Sequence, residues 1–207
     1  MRNFIYFFVI LIVLGYLFHR DHLDIGWKWE AAPTPGRLAP ADPEQVMLDP
    51  NTVAPWNLRG FTFKALATYS ITARILDLAP YAHDRWSDIS PVDLALGWGS
   101  MSDPTIYEQF DITQYDRHYI WRYSGTPPIP ESEIISHSAN THLIPADDSV
   151  RDRIFTFQRH DVVRLVGYLV HIDLPDGTTI VSSLLRTDTG DGACEVMWVK
   201  QADKIGR

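Results

Sequence analysis

Apolar side chains recur along this chain either at every second position or in short unbroken runs, and these two patterns divide it into elements. From Asp161 the sequence reads D-V-V-R-L-V-G-Y-L-V-H-I-D-L, then P-D-G, then T-T-I-V-S-S-L-L, then a polar R-T-D-T-G-D-G-A loop and C-E-V-M-W-V. Three runs rich in Val, Ile, Leu, Tyr and Trp, parted by turn residues, predict consecutive strands. Asp176-Gly177 predicts an antiparallel hairpin in which residues 165–172 pair with 179–185, because glycine tolerates the positive φ of a tight turn.

Upstream, residues 61–78 alternate in part, with Tyr69, Ile71, Ala73 and Ile75 on one face and Ser70, Thr72 and Arg74 on the other. That spacing predicts a long, bent strand, although its opening half also fits a helix. Ser90, Pro91 and Asp93 suit the N-cap, N1 and N3 positions of a helix that Gly97 and Gly99 would end. Ser102-Asp103-Pro104 opens a second, short helix towards Phe110. Residues 119–123 read as an aromatic strand and 134–144 as irregular backbone or a short strand, before Asp147 or Asp148 caps a helix towards Phe157. Strands dominate the end and helices the middle. The fold class expected is α+β: a helix-decorated antiparallel β domain over residues 58–207, forming a small, partly closed β-barrel.

The N-terminus follows a different rule. Residues 4–18 (F-I-Y-F-F-V-I-L-I-V-L-G-Y-L-F) have no polar face, which disfavours a buried amphipathic helix. At ~1.5 Å per residue the run reaches roughly 22 Å, short of a hydrocarbon core of about 30 Å, so it spans by thinning the bilayer or serves as a signal-peptide core. Ala39-Pro40-Ala41 lies too far along to be its cleavage site, and no lipobox cysteine follows. Residues 1–20 are therefore expected to be an uncleaved signal anchor that contacts the lipid bilayer through residues 4–18, with Trp27 and Trp29 near the interface. Arg2 and the α-amino group are matched by Arg20 and Lys28, so flanking charge leaves orientation a tie and export of the C-terminal part is the default. Residues 21–57 carry prolines at 33, 35, 40, 43, 50 and 55 and read as a semi-extended spacer. Val46, Met47, Leu48 and Trp56 are nonetheless apolar enough to pack on the domain.

Charge and cysteine content narrow the classes. The net charge of −8, with no Lys/Arg cluster, argues against a nucleic-acid partner. A single cysteine excludes an intrachain disulfide, which fits a reducing compartment or an exported domain stabilised by its core alone.

Residues 90–199 also resemble a group of short bacterial membrane-anchored proteins to which no activity is assigned. The phrases that carry the resemblance are G-W-G-S-M-S-D (97–103), H-S-A-N-T-H-L-I-P-A (137–146) and S-S-L-L-R-T-D-T-G-D-G-A-C-E (182–195). The resemblance implies a bacterial source and an anchored β-rich domain, with no site residues attached. The layout around Cys194, a cysteine opening a strand with His142 about fifty residues earlier, is similar to that of sortases, membrane-anchored β-barrel transpeptidases. This chain departs from them in approaching the cysteine through T-G-D-G-A-C and in carrying Arg186 before the cysteine rather than an arginine after it. The Gly-Cys-x-Arg ending of L,D-transpeptidases is likewise missing.

Four stretches could carry chemistry. Cys194 with His142, or with His137 in reserve, could make an activated thiol, since a thiolate needs a base or a positive neighbour. A cysteine at a strand start is more often a small buried apolar group. His137 and His142 with Asp147 and Asp148 could ligate zinc, yet the spacing matches no helical H-E-x-x-H pattern, so no metal or cofactor is expected. Asp188 and Asp191 in the R-T-D-T-G-D-G loop lack the regular acidic spacing of a calcium loop and are better suited to bracing it. Gly97-Trp98-Gly99-Ser100-Met101 could border a ligand groove with Trp86, Trp121 and Tyr123, though core packing suits these aromatics better. The expected function is a non-catalytic accessory or binding protein of the bacterial cell envelope, held in the inner membrane with its C-terminal domain periplasmic and open to an envelope protein partner. The alternative is a sortase-like cysteine transpeptidase or hydrolase using Cys194, His142 and Arg186. A thiol buried among aliphatic groups with no imidazole near it would favour the first, and a thiol beside His142 the second.

Overall fold

The computed structural model describes residues 38–207 apart from Arg85. The anchor expected over residues 4–18 lies outside the described residues, and among the described ones no helix is long and apolar enough to cross a membrane. In order, the chain forms β1 (Glu44–Met47), β2 (Trp56–Leu58), β3 (Phe61–Pro80), β4 (Val92–Gly97), a 3-10 turn (Gly99–Ser102) and α1 (Pro104–Tyr107). Then come β5 (Asp111–Tyr115), β6 (His118–Arg122), α2 (Glu131–Ser136), β7 (Ser138–Pro145), α3 (Asp148–Ile154), β8 (Val162–Asp173), β9 (Thr179–Val181) and β10 (Glu195–Gly206). The domain is β-rich with few helices, as an α+β fold requires.

The long strand β3 organises the sheet. One of its edges pairs with β8 along Thr62–Arg74, and the other takes β2, β1 and β4 in succession. Register shifts between Ala65 and Ala67 and between Ile75 and Asp77 mark the bulges that let one strand serve so many partners. From β3 the sheet runs through β4, β7, β10 and β8, and β8 returns to β3, so the sheet is partly ring-like. Alternation sorts side chains between its two faces. Tyr69, Ile71, Ala73, Val92, Leu94, Leu96, Leu143, Leu165, Leu169, Met197 and Val199 fill the inside, with Val150 and Ile154 of α3 closing one end. Burying a side chain such as Leu143 is worth about 1.5–3 kcal/mol, which pins the register.

Several expectations change on this framework. Residues 90–97 form strand β4, not a helix, because V-D-L-A-L-G also satisfies a period of two and the sheet buries all six residues of the strand. Helix-cap chemistry in Ser90-Pro91-Asp93 lost to tertiary packing. Part of the stretch read as spacer joins the sheet as β1 and β2, while Ala39 is buried, with its carbonyl accepting from the Gly99 amide at 2.8 Å. The Asp176-Gly177 hairpin forms with φ +83° at Gly177, but β9 pairs with β8 only over His171–Asp173; the Ser182 amide still donates to the Val170 carbonyl at 3.0 Å, and residues 183–185 leave the ladder. Asp147, not Asp148, caps α3, accepting from the Val150 amide at 2.9 Å.

Candidate active site

The β4–β7 ladder sets Asp93 directly opposite His142. Because Val92, Leu94 and Leu143 point inward, Asp93 and His142 both point to the outer face. There His142 Nδ1 lies 2.9 Å from Asp93 Oδ2, at ion-pair distance but bent away from the hydrogen-bond line. The Asp93 side chain has no solvent exposure and that of His142 only 7%. The indole of Trp86 meets the imidazole edge-on, with centroids 4.9 Å apart.

Parallel pairing of β10 with β7 places Val196 beside His142. Cys194, immediately before β10, thus reaches the outer face two positions back, next to Asn140 and diagonal to His142. Its side chain is half-buried, and Sγ lies 4.0 Å from the Arg117 carbonyl. Burial acts to lower the His142 pKa, yet the Asp93 carboxylate and the Cys194 sulfur outweigh it and push the value up to about 9. Asn140 Nδ2 approaches Cys194 Sγ at 3.6 Å. The Cys194 carbonyl accepts from the Ser183 amide at 2.9 Å and the Val196 amide donates to Ser182 Oγ at 3.0 Å, so the segment flanking the thiol is tied down on both sides.

The hairpin of β5 and β6 closes one flank. Its turn residues Asp116 and Arg117 have φ of +49° and +66°, the left-handed pair that matches strand twist but is uncommon without glycine. Arg117 Nη1 donates to Asp93 Oδ1 at 2.8 Å, Nε to Asp84 Oδ2 at 2.7 Å and Nη2 to the Ser90 carbonyl at 2.9 Å. Its guanidinium carbon also lies 3.9 Å from the Tyr81 ring centroid and 4.5 Å from that of Trp86. A guanidinium so held keeps a permanent positive charge against Asp93. Arg117, Asp93 and His142 therefore form a linked polar chain, with Cys194 beside it on the same face.

Arg186, the third residue of the enzyme alternative, is not part of this chain. It pairs with Glu195, on the opposite face of β10, and Nη1 also donates to the Tyr69 hydroxyl at 3.0 Å. Burial pushes the Glu195 carboxyl up to about 7 in spite of the Arg186 charge. His137 sits at the C-terminus of α2 with Nδ1 3.7 Å from Glu133. Asp188 accepts from Ser183 Oγ at 2.7 Å, bracing its loop. Trp98 and Met101 are core residues. Among the described residues no group of three or more His, Cys, Asp or Glu side chains is placed to hold a metal ion.

Asp93, Arg117 and Asn140 were not singled out as site residues from sequence. Two of them left a signal: Asp93 is the lone charge in an apolar strand run, and Ser138, Asn140 and His142 recur at a period of two. Arg117 left none. Comparison with protein-family models, curated proteins and solved structures finds no match for this chain.

Proposed function

We propose that this chain is a cysteine-dependent acyl-transfer enzyme, a hydrolase or transpeptidase, in which Cys194 is the nucleophile, His142 the general base and acid, and Asp93 the group that orients the imidazole. The observation that carries the reading is an imidazole at ion-pair distance from a buried carboxylate, with a half-buried thiol diagonal to it on the same face. Cys194 and His142 enter the reaction with the thiol proton already on His142, whose raised pKa favours the imidazolium, and Sγ then bonds to the carbonyl carbon as the carbonyl π pair moves to oxygen. Collapse breaks the bond to the leaving group, which departs with the proton from His142, and a thioester remains. Water or an amine, deprotonated by His142, then attacks the thioester and the thiol is restored. Asp93, fixed by Arg117, orients and stabilises the imidazolium in each half. With residues 4–18 as a membrane anchor, the enzyme would act on acyl groups of the cell envelope.

The test uses the full chain with p-nitrophenyl acetate. A burst of p-nitrophenol matched to protein concentration and a mass increase of one acetyl on Cys194 are expected, both lost in Cys194→Ser and His142→Ala. Acetylation that persists in Cys194→Ser would overturn the reading. A second reading, the non-catalytic envelope accessory protein, draws on the exposed Val46 and Met47 of edge strand β1. Under it neither a burst nor His142-dependent labelling occurs.

A further inference from the structure

The reaction above puts negative charge first on Cys194 Sγ and then on a carbonyl oxygen, and charge that develops away from water needs fixed donors. Asn140 lies beside that sulfur. It is 4% exposed, so its amide neither reaches bulk water nor has room to swing. Nδ2 donates to the Arg117 carbonyl at 2.9 Å and approaches Cys194 Sγ at 3.6 Å. A carbonyl only accepts, so the amide atom facing Arg117 is the NH2 group, and Oδ1 must face Gln114, whose Nε2 donates to it at 2.5 Å. The bonding pattern alone fixes which way the amide points. One Nδ2 hydrogen is used by Arg117 and the second is left for the sulfur side. Gln114 in turn leaves its own Oε1 buried and without a partner among the described residues, so its placement favours Asn140 rather than itself.

We infer that Asn140 is a catalytic residue of the Cys194 site, its free Nδ2 hydrogen stabilising the thiolate and then the oxyanion of the tetrahedral intermediate. The inference rests on the thiol acyl-transfer reading. As the sulfur–carbon bond forms, the thiolate charge passes to the carbonyl oxygen, which binds beside the sulfur within reach of the same fixed Nδ2 donor. When the intermediate collapses, the carbonyl re-forms and the donor returns to a neutral acceptor. Gln114 and the Arg117 carbonyl, both from the β5–β6 hairpin, are positioning groups for the amide.

Two probes on the full chain separate this role from a structural one. Iodoacetamide reads the thiolate alone, since no oxyanion forms, whereas p-nitrophenyl acetate reads the thiolate and the oxyanion together. At pH 7, Asn140→Ala is expected to lose about tenfold in alkylation and about a hundredfold in acylation, so the ratio of the two rates changes. Asn140→Asp, which places an anion where the donor was, loses more in both. Gln114→Leu, which frees the amide without touching the eight-stranded sheet, shifts the ratio in the same direction by a smaller factor and serves if the Asn140 variants fail to fold. Equal losses by both probes, or an unchanged ratio in Gln114→Leu and the Asn140 variants while the wild type is acylated, would overturn the role of Asn140 alone. A wild-type chain that is not acylated, and is alkylated no faster than glutathione, would overturn the acyl-transfer reading and this inference together.

Discussion

Strands β7 and β10 carry a buried ion pair on each face, and the two pairs behave differently. On the outer face Asp93 has a cation at each oxygen, Arg117 at Oδ1 and His142 at Oδ2, and a half-buried thiol lies beside them. On the inner face Glu195 meets Arg186 through one oxygen, and Oε2 is buried with no hydrogen-bond partner among the described residues. Both carboxylates are almost fully shielded, at 0% and 1% exposure, so burial does not separate them. The number of partners does. Asp93 is compensated at both oxygens, whereas Glu195, satisfied on one side only, has its carboxyl pushed up to about 7 by burial. The outer pair lies beside the thiol, and the inner pair closes the base of the loop that leads to Cys194.

The largest contrast should appear in reactivity. His142→Ala is expected to slow iodoacetamide labelling of Cys194 more than tenfold at pH 7, a factor set by loss of the base and its positive charge. Glu195→Gln, one residue from the thiol but on the other face, should change it less than about threefold, since it touches neither Sγ nor the imidazole. Similar losses in the two variants would break the division between the faces.

Stability gives the next test. Arg117→Met strands Asp93 inside the fold with only His142, and should cost about 3–5 kcal/mol in denaturant unfolding. Arg186→Met at pH 6 should cost less, about 1–3 kcal/mol, because Glu195 can neutralise itself by protonation. Equal costs would mean that partner number does not control the two carboxylates.

The pH dependence sharpens the same point. His142 binds its proton more tightly in the folded state, so its contribution to stability is complete below 6.5 and disappears as pH rises through about 9. Glu195 is also raised, so its contribution is complete below 4.5 and disappears as pH rises through about 7. Glu195→Gln should therefore flatten the fall in stability on the acidic side of neutrality, and His142→Ala the fall on the basic side. Thermal melts across that range, in which each variant removes its own segment of the slope, check the assignment.

The smallest effect is expected far from either face. Gly177 holds φ +83° at the β8–β9 turn, and Gly177→Val should cost about 1 kcal/mol without altering Cys194 labelling. A labelling change would show that this hairpin communicates with the site.

Parts of this arrangement can be read directly from the order of residues. The alternation over residues 69–75 marked the later part of β3, Asp176-Gly177 specified the turn after β8, Ser102-Asp103-Pro104 announced the start of α1, and the Asp147-Asp148 pair that of α3. These features depend on a few neighbouring side chains and on local φ/ψ preference, which sequence expresses without help from the rest of the fold. The candidate chemistry was half legible: Cys194 and His142 stood out by type, and nothing in their spacing said whether they meet. Their meeting requires β10 to lie parallel to β7, a pairing made across the whole intervening helix and hairpin. Asp93 needed more still, since V-D-L-A-L-G fits a capped helix as well as a strand until the sheet supplies partners on both sides. Arg117 is hidden furthest, a turn residue whose guanidinium gains its role only when the β5–β6 hairpin folds onto the sheet. Short-range geometry is written in adjacent residues; which face a side chain shares, and with whom, is set by long-range strand pairing, and that was decided by the tertiary structure alone.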